Sequence, residues 1–383
     1  MPLRLIYYTI AGKTINRLDS GGRPLLKVEL KRKLLDFNLD VAFSVDGETL
    51  GILGPSGSGK TMTLLCIAGL IRPDSGFIQL NDRVLLDSSH KVNLPSKARN
   101  VGLVFQNYAL FPHLTAGENI AYGIRNRSRQ EVSQRVQVLI EKMGLDGLQQ
   151  RYPRELSYGQ QQRVAVARAL APEPQILLLD EPFSALDSLT KEQLEMQILD
   201  LRQFYKGNII LVTHDLAEAY RLSSRIAVYQ SGGIIQCDNK AKLIASPANL
   251  TVAKITGFRN LLPGTISAVS DSNISIVVPA LGTLKAIRYK HSRLSSGMSV
   301  TVGISPEYVK IDDHPGENTL SGTVSRIVEE IRGNRCFFQL NGAQSTVYQL
   351  DAIISKSDKS IIPPLGSNVY VHLPPEHLVV ITH

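Results

Sequence analysis

The sequence predicts an α/β fold, a largely parallel sheet with helices on both faces, followed by two small β-barrels. Three observations carry this prediction. Short, wholly apolar runs such as Ile176 to Leu179 and Ile209 to Val212 alternate with helical patterns, which is how a parallel sheet buried on both faces reads. Another apolar run, Thr49 to Leu53, feeds a glycine-rich turn that opens a helix. Near residue 245 the helical patterns give way to short strands separated by Gly, Ser and Asn, and this second part repeats itself.

The first 25 residues lack the apolar core of a secretory signal; several basic residues and no acid before Asp19 give them a weak likeness to a transit sequence, but they read rather as a ragged or misassigned N-terminal extension. Leu26 to Leu30 and Phe37 to Val45 are short strands leading to Thr49 to Leu53. Met62 to Leu70 has helical spacing and stops at Gly69 and Pro73. Gly76 to Leu80 and Val84 to Leu86 flank Asn81-Asp82, a hairpin signal. Val101 to Phe105 is a short apolar strand. Residues 115–172 read as mainly helical, with Glu131 to Met143 amphipathic, and Lys191 to Tyr205 is a polar helix between two buried strands. In the second part Asn260 to Ser267 (NLLPGTIS) is echoed by Asn318 to Ser325 (NTLSGTVS), and Val302 to Val309 (VGISPEYV) by Val371 to Leu378 (VHLPPEHL). Each copy is the size of a five-stranded barrel.

Composition narrows the class. With 383 residues, 43% of them hydrophobic and 20% charged, two or three globular domains are expected. No run approaches the roughly 20 apolar residues of a membrane span. The three cysteines are scattered without a C-x-x-C pair and read as reduced core thiols of a cytosolic protein. The formal charge of +8 is compatible with nucleic acid, with an anionic membrane surface, or with a mildly basic surface; no dense Lys/Arg block selects the first.

The turn after Thr49 to Leu53 reads Gly54, Pro55, Ser56, Gly57, Ser58, Gly59, Lys60, Thr61, a fit to G-x-x-x-x-G-K-[ST]. Glycines let successive N–H groups turn inward, and the helix start adds its positive dipole end, so the loop is a phosphate cradle. Lys60 can reach the β- and γ-phosphates, and the Thr61 hydroxyl can ligate Mg²⁺. Thr63, on the helix that follows, belongs to the same nucleotide site. Ile176 to Leu179 ends in Asp180, a Mg²⁺ ligand candidate, and Glu181, which can polarise an attacking water. Gln106 follows the strand Val101 to Phe105 and can ligand the metal or orient water. His214 follows Ile209 to Thr213 and can bond the γ-phosphate. Polar groups gathered at strand ends are where open α/β sheets bind ligands. Leu156 to Arg163 (LSYGQQQR) opens a further helix. Ser157 suits its N-cap, and Gly159 would permit close approach of a phosphate, giving a second anion half-site. Two half-sites per chain suggest two chains enclosing two nucleotides head to tail.

Together these residues resemble the ATP-binding subunit of an ABC transporter over roughly residues 26–250. Gly54 to Thr61 matches the Walker A motif, Gln106 the Q-loop, Leu156 to Gln160 the signature, Ile176 to Glu181 Walker B, Ser184 to Asp187 the D-loop and His214 the switch histidine. The resemblance implies a P-loop nucleotide-binding domain at 26–250, with a helical subdomain at about 112–172, then OB-like units at 255–313 and 314–383. It implies ATP and Mg²⁺ as cofactors, with Glu181, His214 and Gln106 catalytic. Ser157, Gly159, Gln160 and Asp187 would serve a nucleotide across a homodimer. The signature departs from the family pattern in having Tyr158 where glycine is usual. The adenine-stacking aromatic is missing from Glu29 to Leu34, and Phe37 and Tyr8 are poorly placed to replace it.

Asn107 to Thr115 is similar to the surface that receives an importer's membrane subunits. The duplicated end resembles importer accessory domains, and Thr256 to Gly264 is similar to the start of a molybdate-binding (Mop-like) domain. The implied function is the motor of an importer on the cytoplasmic face of the membrane, for molybdate or tungstate, or alternatively for sulfate, ferric iron, sugars or polyamines. Integral-membrane permease subunits are implied as partners, with a periplasmic or extracellular substrate-binding protein beyond them, and no nucleic acid. Thr265, Ser267, Thr323 and Ser325 are candidate contacts for an oxyanion at the barrels. Against a soluble ABC ATPase acting on nucleic acid or ribosomes, the sequence shows neither a coiled-coil insertion nor a second nucleotide domain. Against a molybdate sensor or store, Glu181 and His214 are intact.

Overall fold

The computed structural model describes residues 6–10, 13–17, 25–35, 37–184, 186–288, 294–331, 333–341, 349–356 and 362–382. The chain divides into two compact units, Met1–Lys240 and Ala241–His383, ahead of the boundary near 250 that the sequence suggests.

In the first unit β1 (Ile6–Ile10) and β2 (Lys13–Arg17) form a separate antiparallel hairpin. The main sheet contains β3 (Leu25–Lys33), β4 (Asn38–Asp46), β5 (Thr49–Leu53), β6 (Ser75–Leu80), β7 (Arg83–Asp87) and β8 (Val92–Asn93). It continues with β9 (Val101–Val104), β10 (Ile176–Asp180), β11 (Asn208–Thr213), β12 (Arg225–Gln230) and β13 (Gly233–Asn239). The order across it is β8-β7-β6-β3-β4-β13-β12-β5-β11-β10-β9. The half from β12 to β9 is parallel throughout. The other half is chiefly antiparallel, because β3–β4 and β6–β7 are joined by turns too short for a crossover. Asn81 makes the second of these turns at a φ of 54°.

Among the described residues of the first unit, six α-helices dress the sheet: α1 (Lys60–Ala68), α2 (Ala116–Ala121), α3 (Arg129–Lys142), α4 (Tyr158–Leu170), α5 (Ser188–Phe204) and α6 (Leu216–Leu222). Both faces of the central strands are buried by different partners. Leu177, Leu179, Ile209 and Leu211 join the core holding Ile120, Leu139, Val164 and Leu194 of the helices. Their alternates Ile176, Leu178, Ile210 and Val212 join Leu64 and Ile67 of α1 with Val28 and Val41 of the antiparallel half. Helix starts are set by local chemistry: Thr115 with Glu118, Ser128 with Glu131, and Ser157 with Gln160 each close a reciprocal capping box. The end of α1 is held by Arg99, which is buried and donates to the carbonyls of Cys66, Ile67 and Leu94 and to Asn93 Oδ1. A cation on the last carbonyls of a helix complements its dipole. Gly69 is required beside it, since its φ is 74° and a Cβ there would lie 2.5 Å from Arg99 Nε.

The second unit has two five-stranded sheets whose strands are exchanged between the sequence repeats. The first repeat supplies β14 (Asn260–Val269), β15 (Asn273–Val278), β16 (Gly282–Ile287), β17 (Ser299–Ile304) and β18 (Lys310–Asp312). The second supplies β19 (Thr319–Glu330), β20 (Gly333–Leu340), β21 (Leu350–Ser355), β22 (Asn368–His372) and β23 (Val379–Thr382). The sheets run β16-β15-β14-β17-β23 and β18-β22-β19-β20-β21, so each repeat gives its last strand to the other's sheet. Units that end at 313 and begin at 314 in sequence are therefore interlocked in space, with a shared core containing Ile276, Val302, Phe338 and Val371. Two equivalent asparagines stitch them together. Asn260 exchanges two hydrogen bonds with the backbone of Asp351, and Asn318 exchanges two with that of Lys285, at 2.7 to 2.8 Å. Tyr308 and His377, which occupy matching places in the repeats, stack on one another with ring centroids 3.8 Å apart.

Candidate active site

β5 is buried at every residue and delivers the chain at the carboxyl edge of the parallel half. The turn from Gly54 to Gly59 leads straight into α1. Gly57 and Gly59 have φ of 79° and 98°, which L-residues rarely adopt. Gly54 has no room for a side chain, since its Cβ would lie 2.6 Å from the Tyr229 carbonyl. At Gly57 a Cβ would meet nothing, so the turn is open on that side. Pro55 accepts from Ser58 N, Ser56 is exposed, and the Thr63 hydroxyl returns to the Gly59 carbonyl and anchors the first turn of α1.

Lys60 is buried, and its ammonium donates to the carbonyls of Gly54 and Pro55, both at 2.9 Å. Burial pulls its pKa down, against the opposing pull of Glu181 and Asp180. Thr61 donates to Asp180 Oδ1 at 3.0 Å, bringing the two proposed metal ligands of α1 and β10 together. Asp180 is pushed up by desolvation, which outweighs the Thr61 hydrogen bond and the Lys60 charge. Glu181 follows with φ of 43°, its amide bonded to the Val212 carbonyl. Left-handed geometry at a non-glycine residue stores backbone strain, here on the residue that would handle the proton. Its two carboxylate oxygens face different partners: Oε1 lies 3.9 Å from Lys60 Nζ, and Oε2 lies 3.4 Å from His214 Nδ1. Gln106, two residues past β9, donates to the Ser184 hydroxyl at 3.3 Å, and that hydroxyl donates to the Glu181 carbonyl at 3.0 Å. Lys60, Thr61, Asp180, Glu181, Gln106 and His214 thus form one connected cluster. Ser184, which the sequence places only as the start of the D-loop, is a link in it.

The signature residues sit elsewhere, at the start of α4. Ser157 Oγ accepts from Gln160 N, and Gln160 Oε1 accepts from Ser157 N, so each completes the other's cap. Gly159 has a packing reason beyond phosphate approach, because its Cβ would lie 2.4 Å from Thr190 Cγ2 at the start of α5. Asp187 caps α5, its Oδ1 accepting from the amides of Leu189 and Thr190. Gln162 is buried and donates to the Pro182 carbonyl, joining α4 to the residue after Glu181. Phe37, set aside on spacing, places its ring edge where a Gly59 Cβ would lie 3.3 Å away, beside the phosphate loop.

The barrel serines have a local role. The β14–β15 and β19–β20 ladders each shift register by one residue, leaving Ser267 and Ser325 as the extra residues. Their hydroxyls donate to the carbonyls of Ser275 and Phe337 at 3.1 Å. Thr323 donates to Asn368 Oδ1 at 3.0 Å, and Thr265 lies in the β14 ladder opposite Val277 and Ser299.

A family model described as ABC transporter matches residues 38–184. The spermidine/putrescine import ATP-binding protein PotA of Methylococcus capsulatus is 40% identical over 294 residues, spanning 76% of this chain and 74% of that protein. The chain belongs to the ABC transporter family. It is an ATP-binding subunit of the importer type and an ATP hydrolase, with Mg²⁺ as the accompanying cation. The protein of the same description from Vibrio cholerae is 34% identical over 345 residues, spanning 85% of this chain and 88% of that one. The solved dimeric structure of a post-hydrolysis state of the ATP-binding cassette MJ0796 bound to ADP and Pi is 31% identical, covers 56% of this chain and 98% of its own, and has a TM-score of 0.48. Among the described residues no helix is long and apolar enough to cross a membrane.

The residues present fit the nucleotide and its cation. The buried, desolvated Lys60 faces an open glycine turn, and Thr61 and Asp180 already offer oxygen atoms to one point.

Proposed function

We propose that this chain is the ATP-hydrolysing motor of a polyamine importer, acting as a homodimer on the cytoplasmic side of integral-membrane permease subunits. The observation that carries the motor reading is the cluster of Lys60, Thr61, Asp180, Glu181 and His214 at the mouth of the parallel strands. The cargo reading is supported by relatives described as spermidine/putrescine import ATP-binding proteins, which match this chain over 71% to 85% of its length.

In this reading Glu181 accepts the proton of the attacking water, and His214 holds the water and the departing γ-phosphate in line. Lys60 stabilises the charge that grows on the phosphate oxygens. Thr61, Asp180 and Gln106 would hold Mg²⁺, which when bound neutralises phosphate charge. Ser157, Gly159 and Gln160 at the start of α4 would face the γ-phosphate held by the second copy, where amides at a helix N-terminus favour an anion. Asp187 would stand beside that joint. Gln106 opens the loop where Phe111 packs on Tyr122 and Arg168 lies over Phe111, a built surface suited to receive a permease helix. Its Ser184 link lets movement there reach Glu181.

Molybdate remains the competing cargo because of the Mop-like stretch Thr256 to Gly264, but the bulge geometry accounts for Ser267 and Ser325 without an oxyanion. The deciding experiment is uptake in the host after deletion of the gene. Loss of radiolabelled spermidine or putrescine uptake, restored by wild type and not by Glu181→Gln, is the expected result. Loss of molybdate uptake with polyamine uptake intact would refute the cargo reading.

A further inference from the structure

We propose that Lys191 is a positioning residue that ties the first turn of α5 to the peptide carrying His214. His214 is flanked by two residues, and both are locked by the same group of charges. Lys191 Nζ lies 2.9 Å from Asp215 Oδ2 and 2.5 Å from Glu218 Oε1. Asp215 spends its other oxygen on the α6 cap, accepting from the amides of Ala217 and Glu218. Glu218 in turn accepts from the Thr213 hydroxyl, and that hydroxyl accepts from Asp215 N. The Thr213-His214-Asp215 segment is therefore closed into a ring of hydrogen bonds that the Lys191 ammonium tethers to α5.

That tether leads to the Asp187 cap, since Lys191 N donates to the Asp187 carbonyl. Glu195, one turn further along α5, is buried, pairs with Arg221 of α6, and has its Oε1 without a hydrogen-bond partner among the described residues. Two helices are thus joined by buried and half-buried charges rather than by apolar packing alone. A charge pair has directional bonds, so a shift of α5 is passed to α6 as a change in where His214 stands. The α5 start is also the neighbour of Gly159 at the head of α4. Closure of a second copy onto α4 and the Asp187 joint would therefore register at His214, whose Nδ1 is 3.4 Å from Glu181.

The inference rests on reading Glu181 and His214 as the hydrolytic pair. Its test is a double-mutant cycle on the full chain, read as ATP turnover and as single-turnover phosphate release so that slow variants stay measurable. Lys191→Met is expected to lower kcat by about tenfold or more, within the range of a mispositioned acid–base group, and to leave KM for ATP within about twofold. Lys191→Arg restores most of the loss. In a His214→Ala background Lys191→Met adds less than about twofold, because a residue that acts through His214 has nothing left to position. Asp215→Asn, which keeps the α6 cap and removes the charge, gives the same pattern and serves if Lys191→Met does not fold. Equal losses from Lys191→Met with and without His214 would overturn the linkage, as would a rise in KM at constant kcat. His214→Ala alone turning over at the wild-type rate would instead defeat the reading of the pair.

Discussion

Replacing Gly159 with alanine separates packing from nucleotide chemistry at the head of α4. The new Cβ would meet Thr190 Cγ2 at 2.4 Å, closer than real side chains tolerate. Overpacking of that kind costs about 1–3 kcal/mol. Alanine repays up to about 1 kcal/mol, since it is the better helix former. The net is a loss of about 0–3 kcal/mol, a fall of up to several degrees in the melting temperature of a unit this size. Thr190→Ser removes the offending methyl and leaves the Thr190 Cβ position, 3.9 Å away, as the next contact. The double variant Gly159→Ala/Thr190→Ser is then expected to melt at or slightly above wild type. Thermal melts of the four proteins read the packing term, and ATP turnover reads the rest. If the double variant is stable but inactive, the missing activity belongs to a phosphate that needs the bare glycine. If it melts as low as Gly159→Ala, the steric reasoning is wrong.

Glu181→Gln should lower ATP turnover by about 10²–10⁴-fold while nucleotide binding and nucleotide-driven dimerisation survive; turnover near wild type would remove Glu181 from the base role. In the second unit Asn318→Ala should destabilise more than Asn260→Ala. Each strips paired backbone groups, at about 1–3 kcal/mol per orphaned buried group, but Asn318 also bonds the Leu373 carbonyl and sits at a φ of 55° that alanine resists. Melts of the two variants check the order. Hydrogen bonds from Thr190 and Leu189 hold the Asp187 carboxyl below its ordinary range. A depressed folded-state pKa gives stability that is present above the unfolded value and is lost as pH falls through the folded one. Wild type should therefore lose more stability than Asp187→Asn in acid below about pH 4, and identical acid profiles would refute it.

The first unit was legible because its signals are local. The loop from Gly54 to Thr61, the strand ending at Asp180-Glu181 and the helix after Ser157 are each announced within a few residues, and the structure has a turn, a strand and a helix at those places. What the sequence hid depends on partners far away in the chain. Arg99 looks like an ordinary basic residue until it is found on the end of α1. Gly159 reads as room for phosphate, and its second reason, the methyl of Thr190 on α5, is not visible locally. Ser184 and Lys191 gain meaning only from the residues on other elements that they touch. In the second unit the repeats were visible but the exchange of their last strands was not, because two copies with matching ladders pair as readily with each other as with themselves.

That exchange sets a schedule for the newborn chain. β23 (Val379–Thr382) belongs to the second repeat, yet it closes the sheet begun by the first. A chain emerging from its N-terminus can settle the nucleotide unit early, while the sheet of the first repeat waits for a strand of the second. A chain lacking β23 would leave the β17 edge unpaired, the kind of surface that sticks to its neighbours.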